Sequence, residues 1–501
     1  MQHQIVIIGS GLGGLLTAVF LAKEGYDVAI LEQNKQIGGC LQTFSFEKKV
    51  FDSAVHYIGA LGDGEVLNRV FDYAGIMSRL KLKQLDADCF DQVLLAQDER
   101  EFHLGQGNEG YKESLVAQFP EETAAIVNYC DFLEKTAEAF PLYNLRFGDG
   151  TEKLPYEQLH LATVLKDTGA SPLLQSVITG NSILYAGDLR FTSWAAHVLV
   201  SKSYIDSSWR CEGGASQISK YLWKELQAHG GTVYRHEKVN KLRYENGKIT
   251  AAHCASGNIF YASQFISNIH PKETLAMVQE DAAFKKVYRN RVNNARESVA
   301  CLMVNIVLEP GKVAYKNYNV NWNNGDPLTA IKKLQDSFPV NYSIYYTEDE
   351  ANRGYAESVS ILTYIEANEF DAWAATFNNT IAPAMRSETY EHYKEAKAGL
   401  LLDKIAERFP ELIQFKKSLK IATPLTYRDY QGSGSGSLYG ILKDVNQFAA
   451  TSFSTKTRIP NLYLTGQNVN LHGVLGVAMT SIVTASEFLG MEYLVGKIRS
   501  L

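Results

Sequence analysis

A glycine-rich loop near the start of the chain has the residue types and spacing of a site for dinucleotide phosphates. Residues 9–14 read GSGLGG and follow a short β-branched apolar run at residues 4–8, which predicts a buried parallel strand. Gly9 permits a tight turn, Gly11 lets the backbone approach a pyrophosphate, and Gly14 allows the following helix to pack on the strand. The predicted helix would offer its free N–H groups and its positive dipole end to the phosphates.

The acid expected of such a site follows at the right distance. A second predicted strand at residues 27–31 ends on Glu32, where a carboxylate can accept both hydroxyl groups of an adenosine ribose. The same carboxylate would repel a 2′-phosphate, so NADP is disfavoured. The pattern recurs at residues 105–110, but a polar segment follows that copy and no second strand ends on an acid. One dinucleotide site is therefore predicted, not two.

Length and composition restrict the class of protein. A chain of 501 residues is too long for one compact core, so two intertwined domains are expected. A net charge of −6 argues against a nucleic-acid partner. The six cysteines include no CxxC pair, which indicates neither a disulfide framework nor a zinc site and favours a reducing cytosol. No apolar run is long enough to span a membrane; peripheral association with a membrane surface stays open, and no metal is expected.

Two further segments resemble parts of the large family of two-dinucleotide-binding flavoproteins, which bind FAD. The Gly38-Gly39 pair matches the point where the family's chain passes close to the FAD diphosphate, although Cys40 stands where the family usually has arginine. A predicted strand at residues 461–466 precedes an apolar helix from Val477 onward, whose positive end would face the flavin. The resemblance implies contacts to FAD from Gly9, Gly11, Gly13, Gly14, Glu32, Gln33, Gly38, Gly39, Cys40, Val239, Gly466, Gln467, Asn468, Gly476 and Val477.

Within that family, the chain resembles the phytoene desaturase and carotenoid isomerase superfamily, and its retinol saturase-like subgroup most. The resemblance lies at residues 38–59, 118–122, 423–440 and 462–467. It implies an FAD-dependent oxidoreductase that saturates or desaturates carbon–carbon double bonds of a retinoid, carotenoid or related isoprenoid by hydride transfer at flavin N5. Electrons would come from transiently bound NAD(P)H or from another protein.

Three alternatives to this function are open. A carotenoid cis–trans isomerase would use reduced FAD without net redox change. A flavin amine oxidase shares the scaffold but would normally have a lysine near the flavin and an aromatic cage, for which the sequence gives no clear signal. A non-enzymatic flavin-binding protein is the third alternative.

The side chains that would act on substrate are few. His56 and Tyr57 belong to a motif that the resemblance places near the flavin, where either could donate a proton or merely support the cofactor loop. His472 precedes the last apolar helix and could touch the flavin or be structural. Trp209 and Arg210 could cover a substrate channel, although a buried tryptophan is more often part of the core. Tyr439 lies in the third matching stretch and is predicted to contact substrate.

The expected fold is α/β: a Rossmann-type FAD-binding domain with an inserted α+β substrate domain of sheet plus helical cap. The FAD-binding domain would take residues 1–75, 205–275 and 425–501, and the substrate domain residues 76–204 and 276–424. Helical periods at residues 121–137 and 390–408 predict the cap, and alternating patterns at 298–308 and 358–364 predict strands of the sheet.

Overall fold

The computed structural model of the chain describes residues 1–148 and 150–500, without the side chains of residues 281, 448 and 449. The strands in this part of the chain are β1 Gln2–Ile8, β2 Val28–Glu32, β3 Thr43–Phe46, β4 Lys49–Asp52, β5 Ile58–Gly59, β6 Leu82–Gln84, β7 Asp91–Leu95, β8 Asp98–Leu104, β9 Ser208–Cys211, β10 Thr232–Arg235, β11 Val239–Glu245, β12 Lys248–Cys254, β13 Ile259–Ser267, β14 Ala300–Leu308, β15 Asn319–Asn323, β16 Asn341–Glu348, β17 Ala356–Ile365, β18 Lys416–Ala422 and β19 Leu462–Leu464.

The α-helices alternate with these strands in the first part of the chain and cluster between them later. They are α1 Leu12–Lys23, α2 Val66–Tyr73, α3 Asn108–Gln118, α4 Thr123–Glu138, α5 Leu154–Glu157, α6 Leu161–Asp167, α7 Pro172–Ile178, α8 Trp194–Asp206, α9 Ser216–Ala228, α10 Pro271–Met277, α11 Lys286–Asn293, α12 Ala330–Lys333, α13 Glu388–Ala406, α14 Pro410–Gln414, α15 Pro424–Gln431, α16 Phe448–Thr451, α17 Gly473–Leu489 and α18 Met491–Arg499.

The first sheet has the strand order β10-β2-β1-β13-β12-β11, with β19 added beside β13. Strand β1 pairs in parallel with β2 and with β13, and its residues 5–8 are buried. Helices α1, α9 and α17 pack on one face through an apolar cluster, while α10 and α11 belong to the cluster on the other. This layering places the loop between β1 and α1 at the carboxyl ends of the parallel strands, where α/β sheets bind ligands.

The second sheet has the order β18-β14-β17-β16-β15-β7-β8 and is antiparallel except where β15 runs parallel to β7. Every residue of β14 is buried, because helices cover both faces of the sheet. A cluster containing residues of α3, α4, α6, α7 and α8 packs on one face, and a cluster containing residues of α13 and α14 packs on the other.

The predicted fold class is confirmed, and so is the contrast between the two glycine patterns. Residues 105–110 do join a strand to a helix, but β8 is an antiparallel strand at the edge of the second sheet. The predicted start of the last apolar helix was wrong, since α17 begins at Gly473. The two sheets draw their strands from the ranges given to the two domains; the domain boundaries themselves stay a prediction. Within the described residues, no helix is both long and apolar enough to cross a membrane.

Candidate active site

One elongated cavity of about 530 Å³ is lined from both sheets. The first sheet contributes the glycine loop and the ends of its parallel strands. The second sheet and the helices on it contribute a largely aromatic and aliphatic wall. Among the residues that line the cavity are Gly9, Gly11, Gly13, Glu32, Gln33, Gly38, Gly39, Cys40, His56, Tyr57, Val239, Tyr439, Gly466, Gln467, Asn468 and Val477, all of them predicted site residues.

Two glycine-rich backbone segments, residues 9–13 and residues 38–39, line one side of the cavity. The Gly38 N–H donates to the Ser10 carbonyl at 3.0 Å, and Gly38 forms a parallel bridge with Gly11. A Cβ atom on Gly39 would lie 3.3 Å from the Gly11 Cα, and φ of Gly38 is 111°, in the left-handed region that favours glycine. The two predicted glycine motifs are thus brought into contact, and their bare backbone leaves room for a diphosphate to approach.

Asn268 joins the glycine loop to the C-terminal motif, and the sequence reasoning missed it. It follows the carboxyl end of β13, the parallel neighbour of β1, and lines the cavity. Its Oδ1 atom would lie 2.5 Å from a Cβ on either Gly13 or Gly466, and its Nδ2 donates to the Gly9 carbonyl at 3.4 Å. The available signal was its position at the end of a buried strand, where parallel sheets place polar ligand contacts.

Glu32 is buried at the wall of the cavity and holds the glycine loop. Its Oε2 atom accepts hydrogen bonds from the Ser10 N–H at 3.0 Å and the Ser10 hydroxyl at 2.6 Å, and its Oε1 accepts from the Asn34 N–H at 2.7 Å. A carboxylate has about four acceptor positions, so one is left for a ribose hydroxyl. Glu32 therefore holds the glycine loop in place and keeps one acceptor position for the predicted contact with the ribose.

Glu32→Gln is expected to weaken FAD binding about 10- to 100-fold. An amide that keeps accepting from Ser10 turns its NH₂ group toward the Asn34 N–H, so the ribose hydroxyl loses its charged acceptor, at a cost of about 1–3 kcal/mol. Titration calorimetry of the apoprotein with FAD measures the change. Glu388→Gln is the matched control, because the Glu388 side chain is 85% exposed on α13; equal affinities for both variants would contradict the role of Glu32.

The remaining predicted contacts of the nucleotide end are placed along the same cavity. Val239 begins β11 and lines the wall with Lys238 and Met277. The Cys40 Sγ donates to the Gln431 side chain at 3.4 Å, and burial raises the pKa of its thiol to about 11, so it stays uncharged. Where the family usually has an arginine, this chain therefore places a neutral group.

His56 and Tyr57 lie where the first sheet's loops meet the second sheet. The His56 ring stacks on Tyr345 with centroids 4.3 Å apart, and burial, with a smaller contribution from Arg210, lowers the pKa of His56 to about 3. The Tyr57 hydroxyl donates to Asp91 Oδ2 at 3.0 Å. Asp91 also accepts from Asn181 and Asn319, and burial raises the pKa of its carboxyl to about 6. His56 is thus neutral, and the Tyr57 proton is directed away from the cavity.

The neutral state of His56 predicts a pH dependence of stability. Because its folded-state pKa of about 3 lies below the unfolded value of 6.5, the unfolded chain takes up the proton first as pH falls. Between pH 7 and pH 5 this uptake lowers the free energy of unfolding by about 2 kcal/mol. Denaturant unfolding at both pH values measures it. His56→Phe keeps a ring against Tyr345 and should lose about 2 kcal/mol less than the wild type; an equal loss would contradict the assignment.

Tyr439 and His472 form a stacked pair beside the cavity, with ring centroids 4.1 Å apart. The Tyr439 hydroxyl donates to the Ile183 carbonyl at 2.7 Å, and His472 Nε2 is 3.0 Å from the Leu184 carbonyl. Tyr439 lines the cavity, whereas His472 lies behind it as the residue before α17. Burial lowers the pKa of His472 to about 4, so it too is neutral.

The predicted substrate contacts of Trp209 and Arg210 are not seen, since neither residue lines the cavity. Both lie on β9, in a small sheet with β5 and β6. The Arg210 guanidinium is turned toward the second sheet, where it donates to the Tyr346 and Tyr318 carbonyls and, at 2.7 Å, to Asn319 Oδ1. Because Asn319 donates in turn to Asp91, Arg210 supports the polar network behind Tyr57. Trp209 donates to the Ser207 hydroxyl at 2.8 Å.

Gly14 and Gly476 lie outside the cavity but allow close packing around it. A Cβ on Gly14 would lie 2.2 Å from the Gly9 carbonyl oxygen, and one on Gly476 would lie 2.8 Å from the Leu471 Cβ. Because α17 begins at Gly473, Gly476 is a residue of its first turn. The first turn of α17 also contains Val474, and both Val474 and Val477 line the cavity, so this end of the helix forms part of the wall.

Comparisons with known proteins agree with this architecture. Residues 7–74 match the family of NAD(P)-binding Rossmann-like domains. The chain is 26% identical to the all-trans-retinol 13,14-reductase of Rattus norvegicus, over 97% of this chain and 85% of that protein. It is 24% identical to the chloroplastic prolycopene isomerase of Daucus carota, over 98% and 81% of the two chains. It is 22% identical to the 4,4'-diaponeurosporene oxygenase of Staphylococcus aureus, over 96% of each.

The predicted resemblance to the phytoene desaturase and carotenoid isomerase superfamily is confirmed. Solved structures show the same fold. An oxidoreductase from Methanosarcina mazei superposes with a TM-score of 0.65 at 15% identity, covering 96% of this chain and 99% of that one. Wild-type putrescine oxidase bound to putrescine superposes with a TM-score of 0.62 at 13% identity, covering 98% and 99%.

Proposed function

We propose that this chain is an FAD-dependent oxidoreductase that acts on carbon–carbon double bonds of a hydrophobic polyene. One observation carries the proposal: a single cavity joins the two glycine-rich backbone segments to an apolar wall. That wall is contributed by the second sheet and the elements packed on it, through Ile183, Leu184, Tyr204, Tyr345 and Leu362. The relatives include a retinol reductase, a carotenoid oxygenase and a prolycopene isomerase. Their names support a polyene as the class of substrate.

The residues present fit FAD. The glycines at positions 11, 38 and 39 leave the backbone open to a diphosphate, Glu32 has an acceptor position for a ribose hydroxyl, and Val239 lines the wall beyond it. Gly466, Gln467 and His56 line the same cavity and would hold the remainder of the cofactor. Bound there, FAD would supply hydride transfer at N5. The α17 N-terminus would direct its positive dipole end at the flavin ring.

The chain's own groups exclude water and align the substrate rather than supply charge. None of the five wall residues named above is charged. His56 is neutral, the Tyr57 hydroxyl is bound to Asp91, and the Tyr439 hydroxyl is bound to a backbone carbonyl. Charged residues line other parts of the cavity: Arg428 and Asp429, whose ion pair Arg386 also joins, and Glu32, Glu237, Lys238 and Glu273. An uncharged wall suits a polyene and opposes a cationic amine, which argues against the amine oxidase alternative.

The isomerase alternative is favoured by one specific feature. Net saturation needs a proton for the second carbon, and neither of the two candidate donors offers one to the cavity, since His56 is neutral and Tyr57 donates to Asp91. Reduced FAD that shifts a double bond between cis and trans needs no net proton. Saturation remains the first proposal because the retinol reductase of Rattus norvegicus is 26% identical to this chain and the prolycopene isomerase of Daucus carota 24%.

Oxidation and reduction of the bound flavin, followed separately, distinguish saturation, isomerisation and amine oxidation. The purified flavoprotein is photoreduced without oxygen and mixed in separate trials with retinol and with a poly-cis carotene; the oxidised protein is mixed with a simple amine. Reoxidation of the flavin by a polyene, with a product two hydrogens heavier, is the expected result. A product of unchanged mass would indicate isomerisation instead. Bleaching of the oxidised flavin by the amine would overturn the polyene assignment.

A further inference from the structure

Lys443 is a half-buried lysine whose ammonium group is held by backbone carbonyls and lies over the Phe453 ring, 6.0 Å from its centroid. Its Nζ atom donates to the carbonyl oxygens of Asn468 at 3.0 Å, Thr451 at 3.1 Å and Val469 at 3.4 Å. Among the carboxylates that the structure describes, none forms an ion pair with it. A cation held by neutral acceptors has no opposite charge beside it, so an anion placed nearby would both attract it and favour its protonated form.

The charges around Lys443 increase this imbalance. Arg291 on α11 is the neighbouring cation; it donates to the Ser452 carbonyl and lies over the Phe453 ring at 4.6 Å. The adjacent carboxylate, Asp444, faces Arg296 at 3.7 Å instead. Burial, followed by the charge of Arg291, lowers the pKa of Lys443 to about 7. The region behind the C-terminal motif is therefore electropositive.

This positive charge lies directly behind the wall of the cavity. Asn468, whose carbonyl accepts from Lys443, lines the cavity, and its side-chain Oδ1 accepts from the Ile441 N–H at 2.9 Å. The two segments around residues 441–443 and 466–469 are thus locked together. The charge of Lys443 also contributes to the lowered pKa of His472, the residue before α17. Lys443 and the positive end of the α17 dipole therefore act on the same part of the cavity.

We propose that Lys443 is a positioning residue whose charge, acting through the Asn468 segment, stabilises the anionic reduced form of the flavin. The inference rests on the proposed FAD-dependent function. Oxidised flavin is neutral; when it takes up a hydride, which is two electrons and one proton, at N5, it gains one negative charge on the pyrimidine edge. A fixed cation behind that edge lowers the free energy of the reduced form only, and so raises the reduction potential.

The test is the reduction potential of the bound flavin, measured against a reference dye without oxygen. Lys443→Met should shift the equilibrium toward oxidised flavin about tenfold, which is about 30 mV for a two-electron couple. Lys443→Arg, which keeps the charge, should restore most of the shift. Lys456→Met is the matched control, because the Lys456 side chain is 64% exposed and pairs with Glu487; it should leave the potential unchanged.

The outcomes distinguish this inference from the proposed function. Failure of the wild-type chain to hold any flavin would refute the proposed function. A Lys443→Met variant that holds FAD at the wild-type potential would refute the inference alone. If neither that variant nor Lys443→Gln retains the cofactor, the reduced wild-type protein decides. At pH 6, where Lys443 is protonated, its absorbance spectrum should be that of anionic reduced flavin, and a neutral reduced flavin at that pH would overturn the inference.

Discussion

Gly14→Ala is expected to prevent the chain from holding FAD, because the added methyl group has no space. The Cβ atom of the alanine would lie 2.2 Å from the Gly9 carbonyl oxygen. Gly9 belongs to the loop backbone, and residue 14 lies in the first turn of α1. Relief requires α1 to move away from β1, which costs about 1–3 kcal/mol or more in a packed core. The measurements are the flavin-to-protein absorbance ratio after purification and the free energy of unfolding.

The second glycine pattern of this chain provides the control. Gly110 is the third residue of α3, as Gly14 is of α1, and a Cβ on Gly110 meets no atom within 4 Å. Gly110→Ala should therefore retain all of its flavin and gain about 0.5–1 kcal/mol of stability, as glycine-to-alanine changes in helices do. Similar flavin content in the two variants would show that Gly14 does not have the packing role assigned to it.

Filling the apolar part of the cavity is expected to slow turnover of the proposed polyene substrate without loss of the cofactor. Leu438 is a half-buried residue that lines the cavity and packs on the apolar cluster of the second sheet. Leu438→Trp would occupy space required by the substrate, and a pocket that must exclude even one or two methylene groups loses about 1–3 kcal/mol of binding in the transition state. We therefore expect kcat/KM for the polyene to fall about 10- to 100-fold.

Leu400→Trp is the matched control, since Leu400 is 51% exposed on α13 and does not line the cavity. Flavin content and thermal stability should be the same for both variants, so that any difference in kcat/KM reports on the cavity. Equal kcat/KM values for Leu438→Trp and Leu400→Trp would exclude this part of the cavity as the substrate site.

The parts of the fold that could be predicted are those in which local signals agree. The β1-α1-β2 unit combines a β-branched strand, a glycine loop, an apolar helix and a terminal acid within about thirty residues, so one register satisfies all of them. The beginning of α17 was predicted four residues late. Gly473 and Gly476 flank the apolar pair at residues 474–475, and two glycines so close together indicate a loop rather than a helix, which placed the predicted start at Val477.

Contacts between distant residues could not be predicted. Asn268 meets Gly9 across 259 positions, and Asp91 accepts from Asn319 across 228. Nothing in the short segments around these residues indicates which partner the fold will bring to them. Arg210 is the converse case: it was predicted to cover a substrate channel, whereas the carbonyls of the second sheet bind its guanidinium.

The most direct test of the account is the identity and amount of the cofactor released from the purified chain. Every proposal above requires that the cavity between the two sheets holds FAD without a covalent bond. Denaturing the protein and separating the supernatant by chromatography with mass detection should yield about one FAD per chain and no NADP. Release of NAD(P) in place of flavin, or failure of the apoprotein to take up added FAD, would contradict the account.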